Sequence, residues 1–358
     1  MGVSVLGPCS LTVPVKSPQV DVNLADRGDH RYPIHQAAQS GHLKVVETLL
    51  EHGADPDPVD DHGITALWSA AQSGHYEIVK MILDRGGVEK PINIETESDS
   101  GERRAIHQAA QGGYLSTVEL LLAKGAFCDP EDEHGITPFW SAAQNGNADV
   151  VHLLLGAGAK MDVAPYTKKL QPIHVASLRG HLEVVRLLLD SGVSPTPEAD
   201  SFDDSEPSPF LLACTTDNVE LARLFLDRGV DIVNTTAFQS NKGALHFAAH
   251  GGHVRVGQFL LDNKCDVDAR EAEAHVDSEK KDGATALWIA AQQGHSKVVK
   301  RLLAAGAKQL STKSSKRQPV HQAAQNGHLA CVKLLVKDSP EEISMVERQG
   351  FTALTLAA

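Results

Sequence analysis

The sequence predicts an all-α solenoid of stacked helical repeats, with about nine full units and a truncated tenth. Three observations carry this expectation. A phrase close to Pro-Ile-His-x-Ala-Ala-x-x-Gly-His, followed by an aliphatic stripe, returns nine times and begins a tenth. Its register residue falls at His35, Trp68, His107, Trp140, His174, Leu211, His246, Trp288, His321 and Thr355, with steps of 33, 39, 33, 34, 37, 35, 42, 33 and 34 residues. Self-similarity at this period marks stacked supersecondary units. Finally, 42% of residues are hydrophobic but only 4% are aromatic, so Leu, Val and Ala must carry the packing. Residues 1–20 read as an N-terminal tail and residues 21–358 as one repeat array.

Each element of the unit has a local cause. In the second unit Asp60-Asp61-His62-Gly63 reads as a turn, because glycine adopts positive φ without strain. Thr65 occupies an N-cap position just before the apolar pattern Leu67, Ala70, Ala71. Thr137-Pro138 and Ser208-Pro209 add proline at the first helical position, where its missing N–H costs nothing. The short first helix stops at Gly74, and a second follows with Ile78, Val79, Ile82 and Leu83 on one stripe. The paired alanines let neighbouring first helices approach closely. A unit of this size cannot cover its own apolar stripe. Each large aliphatic contributes roughly 1.5–3 kcal/mol only when buried, and the cover must come from the next unit.

The phrases Thr-Ala-Leu-Trp-Ser-Ala-Ala-Gln-Ser-Gly-His at 65–75 and Gln-Pro-Ile-His-Val-Ala-Ser-Leu-Arg-Gly-His at 171–181 resemble the ankyrin-repeat signature, as do 184–189 and Gly306-Ala307. The resemblance runs over about residues 20–358. It implies a β-turn finger and two antiparallel helices per unit, stacked into a curved solenoid. It also implies that the residues after the Ala-Ala pair face a groove and vary with the partner. These are Gln39, Gln72, Gln111, Gln144, Gln292 and Gln325, with Arg179 and His250 in units five and seven. Drift of ordinary surface residues is the competing reading. Trp68, Trp140 and Trp288 start first helices at equivalent places, either as packing between units or as anchors for a partner.

The units also alternate. Odd units carry His at the register position. They mostly lack the capping Thr and have Tyr32, Arg104, Gln171 or Gln318 there, a pattern suggesting duplication of a two-unit block. Three connections, Pro91–Glu102, Ser194–Pro207 and Glu271–Lys281, are stretched into acidic fingers. In unit six Asp217-Asn218 replaces Gly-His, which predicts a weak point over 200–220.

Composition and motifs narrow the function. The net charge is −13, without a long basic run, which disfavours nucleic acid and anionic membranes as partners. No apolar stretch is long enough to span a bilayer. Five scattered cysteines fit a reducing compartment, the cytoplasm or the nucleus. Of 18 histidines, eleven occupy the register position or the one after the helix-ending glycine. They read as polar ties between units, and no metal-ligand cluster is spelled out. No nucleophile–base pair or phosphate loop emerges, so neither catalysis nor a cofactor is expected. The expectation is a monomeric, non-catalytic module binding a protein or peptide on its concave face. The phrases also resemble the ankyrin and SOCS-box family, which implies the substrate-recognition half of a ubiquitin-ligase subunit. A further alternative is a regulatory array for an effector domain beyond Ala358. The apolar ending Phe351–Ala358 lacks a covering second helix, which favours continuation of the chain.

Overall fold

The computed structural model describes residues 21–85, 91–99, 101–166, 170–196, 207–237, 241–270, 283–313 and 315–357. These fold into nine helix pairs and the start of a tenth unit, with isolated bridges but no strands among the described residues. The pairs are Pro33–Gln39 with Leu43–Glu51, Ala66–Ser73 with Tyr76–Arg85, and Ala105–Gly112 with Leu115–Ala123. Pro138–Asn145 with Ala148–Gly156, Pro172–Arg179 with Leu182–Asp190, and Pro209–Ala213 with Val219–Asp227 follow. The last are Ala244–Gly251 with Val254–Asp262, Ala286–Gln293 with Ser296–Ala304, and Pro319–Gln325 with Leu329–Asp338. A 3-10 turn, Pro340–Ser344, leads to the final helix, Ala353–Ala357.

First helices pack on the first helices of adjacent units, and second helices on second helices. One continuous core runs from Ile34 to Ala353. Its inner surface is the alanine pairs: Ala70, Ala71, Ala109, Ala110, Ala142 and Ala143 are all fully buried. The predicted stripe Ile78, Val79, Ile82 and Leu83 is buried as a set. Leu, Val and Ile therefore fill the space between helix layers, as a chain poor in aromatics requires.

Polar ties join the units as regularly as the apolar core does. Four register histidines accept a hydrogen bond at Nδ1 from the backbone N–H of the N-cap residue: His35 from Tyr32 at 3.1 Å, His107 from Arg104 at 3.1 Å, His246 from Gly243 at 3.2 Å, and His321 from Gln318 at 3.3 Å. At Nε2 the same rings donate to carbonyls of the following unit: His35 to Ile64 at 2.9 Å, His107 to Pro130 at 3.0 Å, His246 to Ala284 at 3.3 Å and His321 to Met345 at 2.8 Å. A backbone N–H can only donate and a carbonyl can only accept, so each ring is neutral with its proton on Nε2. This explains the alternation. In even units Thr65, Thr137, Ser208 and Thr285 cap the first helix by accepting from the N–H of the register residue. In units one, three, seven and nine the histidine instead satisfies the N-cap amide, half of a capping box.

A second set of ties points backwards. His75 Nε2 donates to the Gln39 carbonyl at 3.2 Å, His181 to Gln144 at 2.9 Å, His295 to His250 at 3.0 Å and His328 to Gln292 at 2.9 Å. Each takes up a carbonyl at the open end of the preceding first helix. The preceding glycine is required twice over. Gly146 has φ +76°, and a Cβ there would lie 2.5 Å from His181 Nδ1.

At the finger tips a backbone ladder runs from unit to unit. Asp61 N–H donates to Asp29 at 3.0 Å, Asp99 to His62 at 2.8 Å, Glu133 to Gly101 at 3.1 Å, Tyr166 to His134 at 2.9 Å, and Arg348 to Ser315 at 2.9 Å.

Unit six departs from expectation. Its first helix stops at Ala213, and Asp217 is not among the residues with positive φ. The aspartate avoids the left-handed conformation that the glycines adopt, so the helix ends early. Its carboxylate accepts the N–H groups of Arg255 at 2.9 Å and Val256 at 3.3 Å, at the start of the next unit's second helix. The substitution thus supplies a cap to its neighbour, and the shortened helix itself, Pro209–Ala213, is buried. Residues 200–206 of the expected weak point lie outside the described residues, as do most of the second and all of the third long finger.

The histidine ties set a pH response. Burial holds His107 and His174 at about 4, well below the ordinary imidazole value. The folded state prefers the neutral ring, so this stabilisation is complete above about pH 6.5 and fades as pH falls toward 4. Each ring should lose about 2–3 kcal/mol of its contribution by pH 4.5. Urea unfolding of the parent and of His107→Gln from pH 7 to 4.5 checks this. The variant should show the shallower loss of stability with falling pH; equal slopes would contradict the tie.

Candidate partner-binding face

The predicted ladder residues stand together at the C-terminal ends of the first helices. Gln72, Gln111, Gln325, Arg179 and His250 are exposed, while Gln39, Gln144 and Gln292 are half-buried. Their backbones are fixed by the backward ties, which take the carbonyls of Gln39, Gln144, His250 and Gln292. Asn147 does the same for Gln111, donating to its carbonyl at 3.0 Å. At these five positions the main chain is committed to the next unit, and the side chains are presented outward.

The tryptophans are committed differently. Trp68 Nε1 donates to the Arg103 carbonyl at 3.1 Å, and Trp140 Nε1 to the Leu170 carbonyl at 2.7 Å. Both acceptors lie just before the first helix of the next odd unit. Trp140 is 5% exposed, so it leaves almost no ring for a partner and serves as inter-unit packing in this structure. Trp68 and Trp288 are half-buried. Trp288 Nε1 finds no acceptor among the described residues.

Residues that the motif left unmarked complete the face. Arg31, Arg103 and Arg317 each precede a register histidine by four residues. Each reaches the ladder amide of its own unit: Arg31 Nη2 donates to Gln39 Oε1 at 3.1 Å, Arg103 Nη1 to Gln111 at 2.8 Å, and Arg317 Nη1 to Gln325 at 2.9 Å. Behind each guanidinium sits a carboxylate from the next unit's finger. The Nε···O separations are 3.7 Å to Asp60, 3.5 Å to Asp132 and 3.5 Å to Glu347. Each carboxylate also closes its finger turn by accepting two backbone N–H groups: His62 and Ile64, His134 and Ile136, Gln349 and Phe351. The recurrence of Arg and Gln four residues either side of His35, His107 and His321 was the available signal. The acid is a full finger away in sequence.

Other chemistry finds little support. Among the described residues no group of three His, Cys, Asp or Glu could hold a metal ion, and no helix is long and apolar enough to cross a membrane. The described cysteines are free, and burial pushes the Cys265 thiol up to about 11 and the Cys214 thiol higher still, opposing thiolate chemistry. His62 and His134 stay at exposed finger tips.

A rigid row of outward side chains on stacked units defines an interaction module built on a solenoid. A family model described as ankyrin repeats in three copies matches overlapping windows at residues 13–97, 88–165, 106–199, 173–271, 210–313 and 270–344. The chain belongs to the ankyrin-repeat family. It is similar to the human transient receptor potential cation channel subfamily A member 1, 27% identical over 332 residues, covering 89% of this chain and 28% of the relative. The palmitoyltransferase AKR1 of Lachancea kluyveri is 33% identical over 143 residues, covering 40% of this chain and 19% of the relative. The chain thus spans less than a third of the length of these curated relatives. Among solved structures, the ankyrin-repeat domain of human ASB11 superposes with a TM-score of 0.51 at 25% identity, covering 77% of this chain and 98% of that one.

The indole bonds give a graded test. Trp140→Phe removes a buried donor from a carbonyl that then has no partner, which should cost about 1–3 kcal/mol. Trp288→Phe removes a donor without an acceptor and should cost clearly less. Chemical denaturation of the two variants measures the difference; equal losses would show that ring packing alone is at stake.

Proposed function

We propose that the chain is a non-catalytic module that holds a protein or peptide partner along the face made by its first helices and fingers. The single observation that carries this reading is the ladder at one register. Gln39, Gln72, Gln111, Gln144, Gln292 and Gln325, with Arg179 and His250, turn outward while the backbone beneath most of them is committed to the next unit. Such a row is rigid before binding, so little side-chain or loop ordering opposes association. Trp68 and Trp288 add half-buried aromatic edges, and Trp140 is buried between units. The module works as a monomer in the cytoplasm or nucleus, and the net charge of −13 speaks against nucleic acid.

Two finer readings draw support from the comparisons. Likeness to the ASB11 repeat domain fits the substrate-recognition part of a ubiquitin-ligase subunit. Likeness to a cation-channel subfamily member and a palmitoyltransferase, each far longer than this chain, fits a regulatory array in a larger protein. The interaction face is common to both.

The test is selection of a displayed random-peptide library on the full chain. Peptides selected in this way should bind the combined variant Gln72→Ala, Gln111→Ala, Gln144→Ala at least tenfold more weakly, with its unfolding midpoint nearly unchanged. Lys80→Glu, on an exposed second-helix position, should leave binding intact. The reverse pattern would move the site to the opposite face.

A further inference from the structure

We infer that units one, three and nine form donor rungs that select a carboxylate on the partner, so that a segment bound across units one and three carries acidic residues spaced two units apart. This rests on the reading that the partner lies along the first helices, and it specifies the chemistry of that partner.

The rungs are chemically directional. Arginine has no acceptor, so the amide oxygens of Gln39, Gln111 and Gln325 must face Arg31, Arg103 and Arg317. The amide nitrogens are then turned away, with two N–H donors each. The charge behind each rung is polarised as well. The side chains of Asp60, Asp132 and Glu347 are 0%, 2% and 1% exposed, against 26%, 22% and 22% for their arginines. The negative end of each pair is buried and the positive end faces solvent. At each of these rungs a partner therefore meets the guanidinium and the outward amide N–H groups first.

Even-unit amides differ. Neither Gln72 nor Gln144 has an arginine in this arrangement, and an unconstrained amide presents donor or acceptor alike. The rungs of units one, three and nine are thus the selective positions. A lysine or arginine placed there would find only donors and like charge, whereas a carboxylate accepts from both groups with charge assistance.

Spacing and surroundings limit the ligand further. Units one and three are separated by roughly 20 Å, two helix-packing distances, or about six residues of extended chain at ~3.3 Å each. The adjoining finger tips carry Asp29, Asp61, Asp99 and Glu133. These would repel a continuous acidic run, so the geometry favours two isolated carboxylates over an acidic tract.

The experiment uses 16-residue peptides selected from the displayed random library on the full chain. The expected result is enrichment of Asp or Glu pairs five to seven positions apart. A synthetic peptide of that pattern is then titrated calorimetrically. Replacing its two acids by the matching amides should weaken binding at least tenfold. The double variant Gln39→Glu, Gln111→Glu keeps an oxygen toward each arginine and turns the outward donors into acceptors. It should lose the acidic peptide by at least tenfold while circular dichroism and melting stay unchanged. No enrichment of acidic pairs, no enrichment of any peptide, or unchanged affinity of the double variant would overturn the inference. If non-acidic peptides are selected and still depend on Gln72, Gln111 and Gln144, the binding face stands and the rung chemistry fails. If acidic peptides bind but ignore every first-helix change, both fail.

Discussion

The structure depends on one constraint: a unit of two short helices cannot satisfy either its apolar or its polar groups alone. The aliphatic stripe of one unit is covered by the next, and the same neighbour supplies the hydrogen-bond partners. Register histidines reach forward to the next finger, and the histidines after the glycine reach back to the open end of the preceding helix. Core and ties thus cross the same interface. Stability is then a sum over adjacent units, as in other quasi-linear arrays, and the face that results is stiffened where the next unit takes the carbonyls of Gln39, Gln111, Gln144, His250 and Gln292.

That constraint also decides which side chains are available to a partner. From sequence Trp140 reads either as packing between units or as an anchor; its indole is used within the array and its ring is buried. Among the glutamines one turn further along, Gln39, Gln111, Gln144 and Gln292 give their carbonyls to the next unit and keep their side chains outward. Even the guanidiniums of Arg31, Arg103 and Arg317 are fixed from behind by a buried carboxylate belonging to the next finger. What remains exposed is a row of polar groups whose orientation is set before any partner arrives.

Much of this was legible in the chain. The period, the Thr and Ser caps, the helix-ending glycines and the Ala-Ala pairs are local signals, and each lies within a few residues of the feature it causes. The histidine ties could be suspected from their two fixed positions. The Arg–carboxylate–Gln rungs were hidden because Arg31 and Asp60, or Arg103 and Asp132, come together only when one unit docks on the next. The same holds for the carbonyl that accepts from Trp68. One role of Asp217 was hidden for a related reason. As a substitute for glycine it looks like a defect, and only the stacked structure reveals that its carboxylate caps a helix in the following unit. What sequence reading misses here is the inter-unit partner.

The most direct measurement is the helicity of one isolated unit. A peptide spanning Asp132–Ala159 contains the finger, the cap, both helices and the aliphatic stripe of unit four. By circular dichroism in water it should be largely unstructured and melt without cooperativity, because short isolated helices are marginal and its stripe has nothing to cover it. A helical peptide with a cooperative thermal transition would contradict the account, since the unit would then hold its own fold without the neighbour on which every tie described here depends.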